Sequence, residues 1–443
     1  MSEPSGTGER TPDCTIRFEG EEVPAVAGEP VAVALFASEK RVLSRSAKYH
    51  RPRSFFCLAG HCGSCLMRVD GVPNVKACLA PAHEGQVVER QNAFPSGSFD
   101  VLGAADFFFP RGMDHHTMMT SSTALNALMR RVVREVGGLG LLPDESPDAA
   151  TLPRARRADV DVAIVGGGPA GLAAAVACAQ ALRERGRAPS ILLVDEGDRP
   201  GGSLLSHPRH GVAEADALAA AARALGVDLR HHAAAVGYYP EDDGGLLAVD
   251  EAGTLLRVHA RRTLYANGGY DTNALFGDND RPGICAARAV GTLLVRHHVV
   301  PGRRPLVLGE GEYADALAGA LSSACLPVER VDGVRVRPVS SRGHAWVGAL
   351  EVEEDGKRRK IACDLVAVAR PPAPASELAR QHGVTVRLSP EGGGFGCVVD
   401  ADGRTDVPGV FAAGDVCGFV GVDEARRRGE RAGRAIAASL GEG

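Results

Sequence analysis

Read from its N-terminal end, the chain opens on short stretches where apolar and polar positions alternate. Thr15-Ile16-Arg17-Phe18 has the period of a strand, Glu19-Gly20-Glu21-Glu22 reads as a turn, and Val23-Pro24-Ala25-Val26 as the returning strand. Gly28-Glu29-Pro30 then opens a helix with Val31, Ala34 and Leu35 on one face. Further on, Leu66-Met67-Arg68-Val69 and Val72-Pro73-Asn74-Val75 flank Asp70-Gly71, a strong hairpin signal. Gly85-Gln86-Val87-Val88-Glu89-Arg90 supplies a closing strand. A hairpin, a helix and a second hairpin predict a small α+β domain over residues 14–92, preceded by a polar tail at 1–13 that reads as disordered.

The pattern then changes. Residues 93–157 read as a connector. It holds the aromatic run Phe107-Phe108-Phe109-Pro110, taken as packing between domains, and an amphipathic helix from Ser121 to Val136 with Leu125, Leu128, Val132 and Val133 near helical spacing. Beyond it, short buried strands alternate with helices. Val160, Val162, Ile164 and Val165 form a strand, Leu172–Arg185 an alanine-rich helix, and Ile191–Val194 a second strand. Pro305-Leu306-Val307-Leu308 starts another strand–helix unit. Strands alternating with helices predict a parallel α/β sheet. The expected parts are a first dinucleotide-binding segment at 158–270, an inserted domain of related type at 271–372, and a return to the first at 373–443.

Candidate chemistry sits at three joints of this framework. The first is the loop before the second hairpin, where Cys57, Cys62, Cys65 and Cys78 follow the spacing Cys-x4-Cys-x2-Cys-x12-Cys. The first three match the plant-type 2Fe–2S pattern. Two irons and two sulfides need four thiolates arriving from two directions. The loop supplies three and the hairpin returns the fourth. Ala59, Gly60, Gly63 and Ser64 are small enough to bring backbone N–H groups close to the sulfurs. Structural zinc is the rival reading, but zinc sites usually pair two closely spaced knuckles, and the first interval here is too wide.

The second joint is Gly166-Gly167-Gly168-Pro169-Ala170-Gly171, a G-x-G-x-x-G between strand and helix. Gly166 permits the tight turn, Gly168 the approach of a pyrophosphate, and Gly171 close packing of helix on strand. The helix N-terminus offers N–H groups to phosphate. Asp195 and Glu196 end the next strand. One of them should accept the adenosine ribose hydroxyls; distance to Gly201-Gly202 favours Asp195, with Glu196 close behind. The third joint is Gly309-Glu310-Gly311-Glu312-Tyr313-Ala314. Gly309 and Gly311 fit a second nucleotide turn, nominally for NAD(P). Glu310 and Glu312 put negative charge where phosphates would lie, and no arginine follows for a 2′-phosphate. Both a working NAD(P) site and a retained scaffold remain open.

At 443 residues the chain has room for about three domains. A net charge of −5 excludes a basic nucleic-acid footprint. Arg426-Arg427-Arg428 falls in a helical stretch and reads as a solvated face. No signal peptide and no long apolar run are present, so a cytoplasmic protein without a membrane span is expected. Eleven cysteines suit a reducing compartment. The seven outside the cluster (Cys14, Cys178, Cys285, Cys325, Cys363, Cys397 and Cys417) are scattered and read as small apolar fillers, with Cys417 of interest beside a cofactor motif. No thiol pair beside the second and third joints and no His-x-x-x-x-Glu is present, which argues against disulfide chemistry, and no Ser/His/Asp elbow appears. His115-His116 and His231-His232 lack ligand companions.

Gly201-Gly202-Ser203 and the stretch Thr405-Asp406-Val407-Pro408-Gly409-Val410-Phe411-Ala412-Ala413-Gly414-Asp415 resemble two-dinucleotide-binding-domain flavoproteins of the glutathione-reductase type. The resemblance implies that Gly414-Asp415 contacts the flavin ribityl chain. Leu264-Tyr265-Ala266-Asn267-Gly268-Gly269 looks like that family's crossover strand, with Asn267 a departure from Ala-Thr-Gly. The implied fold class is an α/β flavoprotein of this type carrying an N-terminal α+β ferredoxin-like 2Fe–2S domain.

The domain order also resembles the alpha subunits of heteromeric sarcosine oxidase, opine oxidase, proline and hydroxyproline dehydrogenases and hydrogen cyanide synthase. The matching stretches are His50-Arg51-Pro52-Arg53, Asn92-Ala93-Phe94-Pro95-Ser96, Phe99-Asp100-Val101, Gly201-Gly202-Ser203-Leu204 and Asp278-Asn279-Asp280-Arg281-Pro282-Gly283. Two features of some relatives, a folate-handling domain and a cysteine-rich C-terminal domain, have no counterpart in the sequence. The resemblance implies FAD at the first glycine motif, although some relatives hold NAD there, and an FMN at a subunit interface. It implies a D-amino-acid-oxidase-like beta subunit that oxidises the amine while this chain relays electrons. A self-contained NAD(P)H-dependent flavin/iron–sulfur reductase is the alternative. A third reading is a non-catalytic assembly protein that binds a nucleotide.

Overall fold

The computed structural model describes residues 10–46, 50–93, 122–127, 153–188, 190–241, 245–324 and 326–441. They form two compact units. The first takes the described residues within 1–146, 273–310 and 317–369, the second those within 147–272, 311–316 and 370–443.

In the first unit, alternation builds a five-stranded sheet in the order Glu21–Ala25, Cys14–Phe18, Val87–Glu89, Leu66–Val69, Val72–Lys76. Ile16, Phe18, Val23 and Ala25 turn inward, and the short helix Val31–Ala37 is buried from Val31 to Phe36. Asp70 and Gly71 both take positive φ (48° and 78°), the geometry of the tight hairpin turn their identities call for. The same unit contains a parallel sheet ordered Ile284–Ala286, Leu365–Ala369, Pro305–Gly309, Glu329–Val331. An antiparallel sheet of Arg337–Arg342, Ala349–Glu354 and Lys357–Ala362 accompanies it. Leu306, Leu308, Leu350, Val352 and Val366 join the two sheets in one core.

The second unit is built on a seven-stranded sheet. Asp228–Arg230, Ile191–Val194, Arg156–Val165 and Thr254–Tyr265 run parallel, and Leu246–Glu251 and Ala233–Tyr239 extend the edge as antiparallel strands. Val410–Ala412 returns from far along the chain to lie parallel to the end of Thr254–Tyr265. The helices Pro169–Glu184 and Val422–Ser439 cover one face over Ile164, Leu172, Leu193 and Ile436. Each such side chain contributes about 1.5–3 kcal/mol on burial. Close approach of these helices depends on Gly429 and Gly433. A Cβ at either would come within 2.1 Å of Ala170 O or 2.3 Å of Ala174 O.

The helix after the glycine turn begins at Pro169 rather than Leu172, since proline suits the first helical position. The strand before it begins at Arg156, because its polar outer half is paired with Leu256–His259. Of the helix expected over Ser121–Val136, residues 123–127 are helical. The rest of it, Phe107–Pro110, Phe99–Val101 and His115-His116 lie outside the described residues. No helix among the described residues is long and apolar enough to cross a membrane.

Candidate functional site

Four thiols meet at one end of the five-stranded sheet. Cys57, Cys65 and Cys78 are buried and Cys62 is exposed. They sort into two pairs, Cys57 with Cys62 and Cys65 with Cys78, each within hydrogen-bonding reach. This is the arrangement of a cluster in which each iron takes two thiolates. No group of three or more histidine, cysteine or carboxylate side chains among the described residues is placed to hold a single metal ion. Each pair favours loss of one proton. Cys62 is pushed down to about 4, chiefly by its hydrogen bond with Cys57, and Cys65 is lowered by that with Cys78. The loop turns its N–H groups inward: Ala59 and His61 donate to Cys57 Sγ at 3.4 and 3.3 Å. Gly60, at φ +81°, holds a backbone conformation that favours glycine, and a Cβ there would have to displace the exposed Leu79 side chain, 2.7 Å away. Lys76 Nζ donates to the Gly60 carbonyl and ties loop to hairpin. Thiol pairing and inward N–H groups fit a 2Fe–2S cluster.

In the second unit, Gly166, Gly168, Gly171, Asp195, Glu196, Gly201, Gly202, Gly414 and Asp415 lie around the end of strand Arg156–Val165 and the start of helix Pro169–Glu184. Gly168 caps that helix without any side-chain hydrogen bond, and a Cβ there would meet nothing closer than Gly202 Cα at 3.9 Å. That space and the helix's first N–H groups form a phosphate cradle. Gly201 N–H donates to Gly167 O at 2.7 Å, which anchors the Gly201-Gly202 turn over the cradle. Gly414 packs on Ala170, and Asp415 starts the short turn Asp415–Cys417, accepting from Val420 N–H at 3.2 Å.

Two residues add to the reading from sequence. The Asp195 carboxylate accepts from the N–H of Gly167 at 2.6 Å and of Gly197 at 2.9 Å. Burial raises its pKa. It buttresses the glycine loop from inside, and its neighbour Glu196 is exposed. Asn267 is the residue sequence reasoning passed over. Its Nδ2 donates to Ala375 O at 2.6 Å, while its Oδ1 is buried without a partner beside Gly166. The departure from Ala-Thr-Gly marked it. An unpaired buried acceptor next to the cradle, with the cradle itself, fits a bound dinucleotide.

The second glycine motif is made differently. Glu310, Gly311 and Glu312 are exposed. Glu312, the first residue of helix Glu312–Ser323, takes His207 Nε2 at 3.0 Å and Arg209 Nη1 at 2.8 Å. His207 Nδ1 accepts the Arg209 N–H, so its proton resides on Nε2 and is donated to Glu312. Tyr313 Oη donates to Ser206 O at 2.8 Å. The N-terminal end of this helix already faces a paired carboxylate of its own, and these residues do not fit an added pyrophosphate.

The other expectations find ordinary places. Arg427 and Arg428 pair with Glu424, and Arg426 with Glu214. His231 and His232 are exposed, with rings 5.2 Å apart. Cys417 packs against the sheet core, where burial raises its thiol.

Comparison with known proteins fits this geometry. Residues 12–93 match the family model of a 2Fe-2S iron-sulfur cluster binding domain, residues 164–232 that of an NAD(P)-binding Rossmann-like domain, and residues 313–439 that of a pyridine nucleotide-disulphide oxidoreductase. The alpha subunit of sarcosine oxidase from Rhizobium meliloti is 30% identical over 426 residues, covering 85% of this chain and 42% of that protein. An opine oxidase subunit of the same organism is 25% identical over 336 residues, covering 63% and 71%. The solved structure of L-proline dehydrogenase from P. horikoshii covers all of this chain and 76% of its own, at TM-score 0.71 and 22% identity, and shares the fold. The chain thus spans less than half the length of the sarcosine oxidase subunit it matches. Over that shared span it is similar to the sarcosine oxidase alpha subunit and the opine oxidase subunit, and its N-terminal end matches a 2Fe–2S cluster binding domain.

Proposed function

We propose that this chain is the FAD- and 2Fe–2S-containing electron-transfer subunit of a heteromeric oxidoreductase acting on CH–NH donors of the sarcosine, opine or proline type. It relays electrons from a partner flavoprotein to an acceptor. The observation that carries this reading is the presence, in one chain, of a paired-thiol loop and a dinucleotide cradle. A flavin supplies two-electron chemistry and an iron–sulfur cluster one-electron chemistry, so a chain holding both converts one into the other.

Its residues divide the work. Cys57 and Cys62 hold one iron, Cys65 and Cys78 the other. Gly166, Gly168 and Gly171 admit the pyrophosphate of FAD, with Gly201-Gly202 closing over it. Glu196 accepts the ribose hydroxyls and Asp195 holds the loop. Asn267 Oδ1 takes a donor from the bound dinucleotide, and Asp415 orients the ribityl chain. All of these groups are engaged in holding the two cofactors, and the reading gives the amine-oxidising step to a partner. Family resemblance gives that partner as a D-amino-acid-oxidase-like beta subunit, with an FMN where the subunits meet, in a reducing cytoplasm. The Gly309–Ala314 motif serves as an internal clasp, not as an NAD(P) site.

The test is co-purification. Affinity-tagged chain expressed in its own host should bring down a second flavoprotein, and amine oxidation should require both. Amine oxidation at full rate by the lone chain would overturn the proposal.

A further inference from the structure

Two stretches distant in sequence, His50–Arg53 and Asp278–Gly283, meet in the first unit. Asp280 Oδ2 lies 3.1 Å from Arg53 Nη1, and its Oδ1 lies 3.6 Å from Arg51 Nη1. One carboxylate thus takes a guanidinium on each oxygen. Arg281 holds this acidic loop in place. It donates to Ser341 Oγ at 2.9 Å and to the carbonyls of Gly343 and His344, and pairs with Asp278 at 3.2 Å.

A few residues later the chain enters strand Ile284–Ala286, which reaches the root of the cluster loop. Ala286 N–H donates to Phe56 O at 2.9 Å, and Cys285 Sγ–H to Phe55 O at 3.6 Å. Phe56 is the residue before Cys57. Cys285 is fully buried. The inner flank of the loop, where Phe55 and Phe56 lead into Cys57, is therefore walled by a strand from much further along the chain. Half-exposed ion pairs add little to stability on their own. The leverage of this one is positional, because it fixes the segment leading into the loop against that strand.

We propose that Asp280 is a positioning residue for the cluster: by gripping Arg51 and Arg53 it seats Phe55-Phe56 on strand Ile284–Ala286. This closes the Cys57 flank of the loop to water. The proposal rests on the reading of Cys57, Cys62, Cys65 and Cys78 as cluster ligands. Groups around a metal site control solvent access and reduction potential.

The experiment uses the full chain loaded anaerobically with iron and sulfide. Asp280→Asn should take up the same iron and sulfide as wild type, since no ligand is touched. A ferrous chelator should then strip its iron about tenfold faster, the scale for lost outer-sphere support. The electron paramagnetic resonance line shape of the reduced cluster should shift. Asp280→Glu should restore both. Cys285→Ser changes one buried atom of the same wall and should shift the line shape too; it carries the test if Asp280→Asn does not fold. Wild-type stripping rate and line shape in Asp280→Asn, or in Cys285→Ser where that variant stands in, overturn the proposal. A wild-type chain that assembles no 2Fe–2S cluster overturns the underlying ligand reading instead.

Discussion

The two glycine motifs share a backbone and differ in chemistry. Gly166 and Gly309 both have positive φ, 101° and 129°. A Cβ at either would strike the neighbouring strand's carbonyl, 2.4 Å from Ala266 O or 2.1 Å from Ala369 O. The helices that follow diverge. The first begins Pro169-Ala170-Gly171 and leaves its N–H groups facing an open cradle. The second begins with Glu312, already paired with His207 and Arg209. The turn geometry is a property of the glycines alone. Anion binding is a property of what the first helical turn presents. A glycine pattern therefore identifies a strand–helix joint, and the charges around it decide whether a phosphate is welcome.

That contrast can be broken in four ways. The largest effect is expected at Gly171, where a Cβ would sit 1.8 Å from Gly166 O. Gly171→Ala should yield protein without a flavin absorbance band; retention of stoichiometric FAD would show that the cradle is not where the cofactor binds. Next, Glu196→Gln should weaken FAD about tenfold, the scale of a charged hydrogen bond, with little change in Tm. Asp195→Asn should instead lower Tm, because one of the two backbone donors then faces an amide NH2 group in place of an acceptor. The reverse pattern would return the ribose role to Asp195.

A smaller effect concerns the clasp. Burial holds His207 below its ordinary pKa, against the pull of Glu312. The unfolded chain takes up the proton first, near pH 6.5. This contribution to stability is therefore full above about pH 6.5 and declines as the pH falls below it. From pH 7 to 5.5 the Tm of wild type should drop further than that of His207→Gln; equal drops would mean that burial does not hold His207 below its ordinary pKa in the fold. The smallest expected effect is none at all: anaerobic NADH or NADPH should leave the flavin spectrum of the pure chain unchanged. Rapid bleaching would make the second motif a working site.

Much of this was legible in the sequence where a spacing dictates backbone geometry. Cys57, Cys62, Cys65 and the Asp70-Gly71 turn specify a loop and a hairpin with little help from elsewhere. The first glycine motif was readable for the same reason. What stayed hidden depends on distant partners. Asp195 could be seen as an acid at a strand end, but its commitment to Gly167 and Gly197 follows from how two loops stack. Glu312 was visible as a misplaced charge, while His207, the donor that holds it, lies a domain away in sequence. Asn267 announced itself only as a mismatch. The motifs at His50–Arg53 and Asp278–Gly283 were noted separately, and only folding brings Asp280 to both arginines.

The central claim is that this chain relays electrons and does not itself oxidise an amine. The direct measurement is an anaerobic titration of the pure, cofactor-loaded chain with sarcosine, proline and an opine, following the flavin band and the cluster's paramagnetic signal together. The account predicts no change with the chain alone, and reduction of both centres once the partner flavoprotein is added. Bleaching of the flavin by any of these amines in the absence of a partner would contradict it.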